Sequence, residues 1–223
     1  MTQKFWSRSV VMAALFGVAM PVFAAEITSP AKQAHVTDFT TGKVLFSKDA
    51  DAPMKPASMA KIMTVFVAFQ RIADGQLEMD DKFTISEKAW KKGGSRTFLE
   101  VGSTVSVREL LYGIIVQSGN DAAIALAEGV SGTEKAFVQE MNFWAKKIGM
   151  KNTNFQNSTG WPDPDLTTTA ADLNIMTTEL IRRFPADNIP IFIRFLPSGN
   201  IPIIKFASQT ATHLFLVRLV LMG

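Results

Sequence analysis

The sequence predicts a mixed α/β chain of the α+β kind: one short β-hairpin followed by a run of helices. Three observations predict it. Two short extended segments near the start flank a glycine turn. Several later segments carry apolar residues at three- and four-residue spacing. The composition, 47% hydrophobic and 19% charged over 223 residues, excludes a disordered or fibrous chain and allows one or two domains.

The elements follow in order. His35 to Phe39 and Lys43 to Phe46 flank Thr40-Thr41-Gly42 and read as the hairpin. Asp49, Asp51 and Pro53 mark a loop. Ser58 to Ile72 contains no Gly or Pro, and Ile62, Val65, Phe66 and Phe69 form a buried stripe, so this is a helix ended by Gly75. Ser106 and Glu109 have the spacing of a capping box before a helix running to Val116. A third helix starts near Asp121, small or apolar all round through Leu126. Thr133 and Glu134 open a fourth that runs to about Lys147 and stops at Gly149. A fifth is expected from Ala171 to Arg183.

Charge is distributed unevenly. The net charge of +3 comes from 23 basic and 20 acidic residues, and the last acid is Asp187. Without Lys4, Arg8 and the three basic residues after Asp187, 18 basic residues face 20 acids, so nothing indicates a nucleic-acid partner. Lys4 and Arg8 precede the apolar run Val10 to Ala19, then Pro21 and a small-residue end at Ala24-Ala25. This order is that of a secretory signal peptide and predicts export to the periplasm or cell envelope. There is no cysteine, which excludes disulfides, thiolate metal sites and a Cys nucleophile. Two histidines, His35 and His213, are too few for most His-based metal sites.

Ser58-Met59-Ala60-Lys61 places a hydroxyl and an amine three residues apart at a helix start. A serine nucleophile needs a base, and a Lys of lowered pKa is one when no His serves. The same spacing also occurs on ordinary solvated helix faces. Ser118-Gly119-Asn120 lies between two apolar helices and can bring a hydroxyl and an amide into a cleft. It also reads as a helix–helix turn with Ser118 or Asn120 as a cap.

Taken together, Pro56 to Thr64 and Gln117 to Ala122 resemble the serine-type D-alanyl-D-alanine carboxypeptidases, the low-molecular-mass penicillin-binding proteins. Gly149 to Phe155 and Thr168 to Asp172 share the likeness, which covers about residues 26–185. The resemblance implies a penicillin-recognising fold shared with serine transpeptidases and β-lactamases, an antiparallel sheet with a helical cluster. It implies Ser58 as nucleophile, Lys61 as the group taking its proton, Ser118 as proton relay, and Asn120 as a holder of substrate and Lys61. The implied partners are a peptidoglycan stem peptide ending in D-Ala-D-Ala and β-lactams as covalent inhibitors. No metal or organic cofactor is implied.

The likeness ends near residue 190. The family's third motif, Lys-Thr-Gly, does not occur; Lys205-Phe206-Ala207 and Gln209-Thr210-Ala211 are poor substitutes. The later strands and the C-terminal amphipathic anchor have no counterpart in the sequence. The expected division is a signal peptide over 1–24, a partial catalytic domain over 25–190 and an aberrant hydrophobic tail over 191–223. A shifted codon reading from Leu196 onward permits a family-like stretch, so a frameshift near Ile189 to Phe195 is expected, and the coding DNA tests it. Impaired turnover and poor stability follow from the missing strands. Two other readings compete with this one: a β-lactamase-like serine hydrolase, for which no deacylating Glu can be placed, and an inert secreted fragment binding peptidoglycan or membrane through its tail.

Overall fold

The computed structural model describes residues 29–184. The expected signal peptide, hydrophobic tail and frameshift region lie outside them. The hairpin pairs β1 (Ala34–Thr37) with β2 (Val44–Lys48) in antiparallel register, Val36 opposite Phe46, with an irregularity between Val36 and Thr37. Asp38 shapes the turn by accepting from the Thr41 N–H and hydroxyl, both at 2.7 Å.

The predicted first helix divides in two. Ala57–Met59 forms a 3-10 turn that carries Ser58, and α1 (Ala60–Ala73) continues from it. Ala57, just before the predicted start, has φ +47°, so right-handed helical backbone begins only after it. Next come β3 (Lys82–Thr84), α2 (Glu87–Lys91) and β4 (Thr104–Ser106). β3 and β4 form a second antiparallel pair, Phe83 opposite Val105. These three elements leave no signal in the sequence, because three- to five-residue segments carry too little periodicity to read.

The remaining helices follow the sequence closely. α3 (Val107–Gln117) opens on the full capping box of Ser106 and Glu109. α4 (Asn120–Ser131) is buried over Asn120–Ala127. α5 (Glu134–Ile148) is capped by Thr133 and ends at Gly149, φ +97°. α6 (Ala170–Arg183) is capped by the Thr169 side chain, which accepts from the Asp172 N–H at 3.1 Å.

α1 runs through the middle of the helical cluster and touches α3, α4, α5 and α6. Its Met63, Phe66, Val67, Ala68 and Phe69 are fully buried. Phe184 packs edge-on to both Phe66 and Phe69, with ring centroids 5.4 and 5.7 Å away. α6 lies against β1, where the Thr37 hydroxyl donates to Asn174 Oδ1 at 3.1 Å. At Gly129 a Cβ would overlap the Phe83 ring, so only glycine lets β3 cross α4 this closely.

Candidate active site

Ser58 and Lys61 meet as the spacing predicts. Ser58 is half-buried at the mouth of α1, and Lys61 Nζ lies 3.3 Å from its Oγ. Lys61 is only 4% exposed. Burial lowers its pKa to about 8, because an ammonium removed from water loses hydration that an amine does not need. At that value the neutral amine is well populated near physiological pH and can accept a proton. A solvated Lys–Ser pair on a helix face would not have this property, and the burial decides against that alternative.

The second contact of Lys61 comes from a distant turn. Its ammonium donates to the Thr159 carbonyl at 2.9 Å. The turn is held from within by Asn157, whose Oδ1 accepts from the Thr159 N–H, the Thr159 hydroxyl and the Trp161 N–H at 2.9 to 3.2 Å. It is held against α1 by the Thr64 hydroxyl, which donates to the Ser158 carbonyl at 2.7 Å. Gly160 has φ +78°, and a Cβ there would overlap the Ala57 carbonyl oxygen. Glycine is therefore required for the turn to approach the residue preceding Ser58.

Ser118 is the C-cap of α3, half-buried, with φ +54° and ψ +35°. The Gly119 N–H donates back to the Gly113 carbonyl at 3.0 Å, which closes the helix end. No hydrogen bond joins the Ser118 hydroxyl to Ser58 or Lys61 among the described residues. Asn120 begins α4. Its Nδ2 donates to the Gly93 carbonyl at 2.8 Å and its N–H to the Ser95 carbonyl at 2.8 Å. Asn120 therefore clamps the 93–95 loop, and no hydrogen bond joins it to Lys61 among the described residues.

A chain of packing contacts nevertheless links the two motifs. A Cβ on Gly94 would lie 2.8 Å from Asn120 Nδ2 and 3.0 Å from the Trp161 ring. Trp161 directly follows Gly160, which packs on Ala57. The Lys92 ammonium stands 4.0 Å over the Trp161 ring as a cation–π pair at the rim. Asp121 fixes the same loop from below, its carboxylate accepting from the Thr97 N–H at 2.8 and 3.0 Å and the Leu99 N–H at 3.2 Å. Among the described residues, two of the four non-glycine residues with positive φ, Ala57 and Ser118, belong to the two motifs. Such strain persists where the surroundings over-determine it, and it clusters at functional sites.

The comparisons with known proteins place the chain in a family. Residues 20–191 match the Peptidase S11 family, D-alanyl-D-alanine carboxypeptidase. The chain belongs to that family. Its relatives include D-alanyl-D-alanine carboxypeptidase DacF of Bacillus subtilis, 43% identical over 157 residues, which are 70% of this chain and 40% of DacF. D-alanyl-D-alanine carboxypeptidase DacC of Escherichia coli is 39% identical over 184 residues, 78% of this chain and 46% of DacC. Among solved structures, the carboxypeptidase DacD of Francisella tularensis superposes with a TM-score of 0.71 at 42% identity, over 72% of this chain and 39% of that one. Penicillin-binding protein 5 of Haemophilus influenzae gives 0.69 at 37% identity, over 72% and 48%. The described residues thus form part of the penicillin-binding transpeptidase fold, and the chain spans less than half the length of these relatives.

Several contributors to the site were absent from the sequence reading: the Thr159 carbonyl, Gly160, Trp161 and the Gly93-Gly94 loop. Asn157-Ser158-Thr159-Gly160 carried a turn signal. Nothing in it marked a backbone carbonyl as a partner for Lys61.

Proposed function

We propose that this chain is a serine-type D-Ala-D-Ala carboxypeptidase by descent, acting through a Ser58 acyl-enzyme on peptidoglycan stem pentapeptides at the cell envelope. The observation that carries the reading is the buried Lys61 amine 3.3 Å from Ser58 Oγ, with a pKa lowered to about 8. Neutral Lys61 takes the Ser58 proton as Oγ attacks the carbonyl of the terminal D-Ala–D-Ala bond. The leaving amine takes a proton, D-alanine departs, and water later cleaves the ester. Ser118 relays protons at the leaving group, and Asn120 holds the substrate through the carboxamide oxygen, its nitrogen being committed to Gly93. β-Lactams acylate Ser58 by the same attack, the ring amide taking the place of the peptide bond.

The missing Lys-Thr-Gly motif impairs this chemistry in our reading. Without that motif's cation and strand, the substrate carboxylate and the developing oxyanion lose stabilisation, which at a single oxyanion donor is worth about 10²–10³ in rate. Acylation by a reactive β-lactam is expected to survive better than pentapeptide turnover.

A fluorescent penicillin tests the reading. Wild type should label covalently and Ser58→Ala should not. Slow label loss marks a penicillin-binding protein, and fast loss a β-lactamase. No labelling of folded wild type would leave the inert-fragment reading standing and overturn ours.

A further inference from the structure

We propose that Glu134 is a positioning residue for the Ser58–Lys61 pair, acting through the turn that presents the Thr159 carbonyl to the Lys61 amine. The proposal rests on the reading of Ser58 as nucleophile and Lys61 as its base.

Glu134 is the first residue of α5 and bonds Ser158, the neighbour of the residue whose carbonyl Lys61 meets. It is nearly buried, and a buried carboxylate is costly unless its oxygens are paired. Both are paired. Oε2 meets the Lys88 ammonium at 2.6 Å, and Oε1 accepts from the Ser158 N–H at 3.0 Å and the Ser158 hydroxyl at 2.8 Å. Burial by itself would raise the Glu134 pKa. The Lys88 and Ser158 bonds outweigh it, so the group stays below its ordinary value and is ionised at neutral pH. Lys88 also stands 4.0 Å from Glu128, which the Ser86 hydroxyl occupies at 2.6 Å.

At this point the turn offers polar groups to its neighbours. Ser158 and Thr159 are both buried and polar. Polar bonds therefore set where the Thr159 carbonyl sits: Glu134 on one side, Thr64 on the other and Asn157 within. Lys61 has two acceptors, and the carbonyl at 2.9 Å is closer than Ser58 Oγ at 3.3 Å. Hydrogen bonds fall off steeply over a few tenths of an ångström, so a small shift of the turn changes how the amine is shared between Thr159 and Ser58. The carboxylate reaches the chemistry only through geometry; it touches neither reacting atom.

The geometry also states which substitution should be tolerated. A carboxamide at 134 keeps Oε1 as acceptor for Ser158. Lys88, 57% exposed along its side chain, then turns to solvent or to Glu128. An alanine keeps nothing.

The test uses the full chain with two readouts at a series of pH values. One is the rate of Ser58 acylation by labelled penicillin. The other is the midpoint of Lys61 reactivity toward acetic anhydride, read by mass spectrometry of the Lys61 peptide in folded material. Glu134→Ala is expected to slow acylation about tenfold on the alkaline plateau, where Lys61 is neutral in both proteins, and to lower the Lys61 midpoint by about one pH unit, because a buried ammonium that loses a carbonyl acceptor is disfavoured. Glu134→Gln is expected to stay within about threefold of wild type and to keep its midpoint. Should Glu134→Ala fail to fold, Ser158→Ala carries the same prediction with smaller amplitude, since it keeps the Glu134–Lys88 pair and one of the two turn bonds. An unchanged Lys61 midpoint in a folded Ala variant, or a Gln variant that behaves like Ala, overturns the proposal. If wild type takes no penicillin, the reading of function fails, while the Lys61 midpoints still decide the positioning role.

Discussion

Lys61 links the residue scale to the chemistry. Its side chain gives up hydration to reach Ser58, and the cost appears as a pKa near 8 in place of 10.5. Below that value the amine carries a proton and cannot take another; above it the base is free. Acylation of Ser58 by penicillin should therefore rise with pH through a midpoint of about 8, which a pH–rate profile measures. Lys61→Arg, always protonated, should lose about two orders of magnitude or more at every pH in the same assay. Ser118 gives a second residue-scale prediction. It occupies left-handed backbone, φ +54°, where glycine is at ease. A structure that used this position only as a turn would be served at least as well by glycine. Ser118→Gly should leave stability within about 1 kcal/mol of wild type by urea unfolding, yet slow acylation markedly. Unchanged acylation would remove Ser118 from the mechanism.

At the scale of elements, helix starts are tied to loops by single carboxylates. Asp172, in the first turn of α6, accepts from the Lys151 N–H at 3.3 Å, the Asn152 N–H at 2.8 Å and the Thr153 hydroxyl at 2.7 Å. It binds the segment after α5 to the start of α6 and is 3% exposed. Asp172→Ala strands these donors and should cost about 2–4 kcal/mol in denaturant unfolding. Asp121 does the same between α4 and the 97–99 loop, and Glu134 between α5 and the Ser158 turn. The sequence showed Asp121 and Glu134 as helix-start residues and Asp172 as part of the family-like segment Thr168 to Asp172. It did not show that each also holds a distant loop, because most of the loops' donors are backbone N–H groups with no side-chain signature.

The whole molecule divides by burial. The helical cluster closes its own core up to Phe184, whose ring fits edge-on between Phe66 and Phe69. Phe184→Ala should cost about 3–5 kcal/mol, read as a lower urea midpoint with an unchanged slope. The hairpin is covered far less: in β2, Val44 and Leu45 are 50% and 48% exposed. Apolar strand residues left open in this way suit a sheet with further covering. The hairpin should therefore open before the helical cluster, which hydrogen exchange of β1 and β2 against α1 detects.

Much of this was legible in order along the chain. The hairpin turn, the capping box at Ser106, the buried stripe of α1, the Gly149 stop and the Ser58–Lys61 pair all depend on neighbours within a few residues. Local spacing determines whether such groups share a turn or a face, so the sequence by itself was enough. Two things were settled only by tertiary structure. One is the ionisation of Lys61, because burial depends on what α1 packs against. The other is the meeting of Ser58 and Lys61 with Thr159 and Gly160, and through Trp161 and Gly94 with Asn120. Those contacts join residues far apart in the chain, several through backbone atoms that every residue shares, and only the folded packing selects which of them meet.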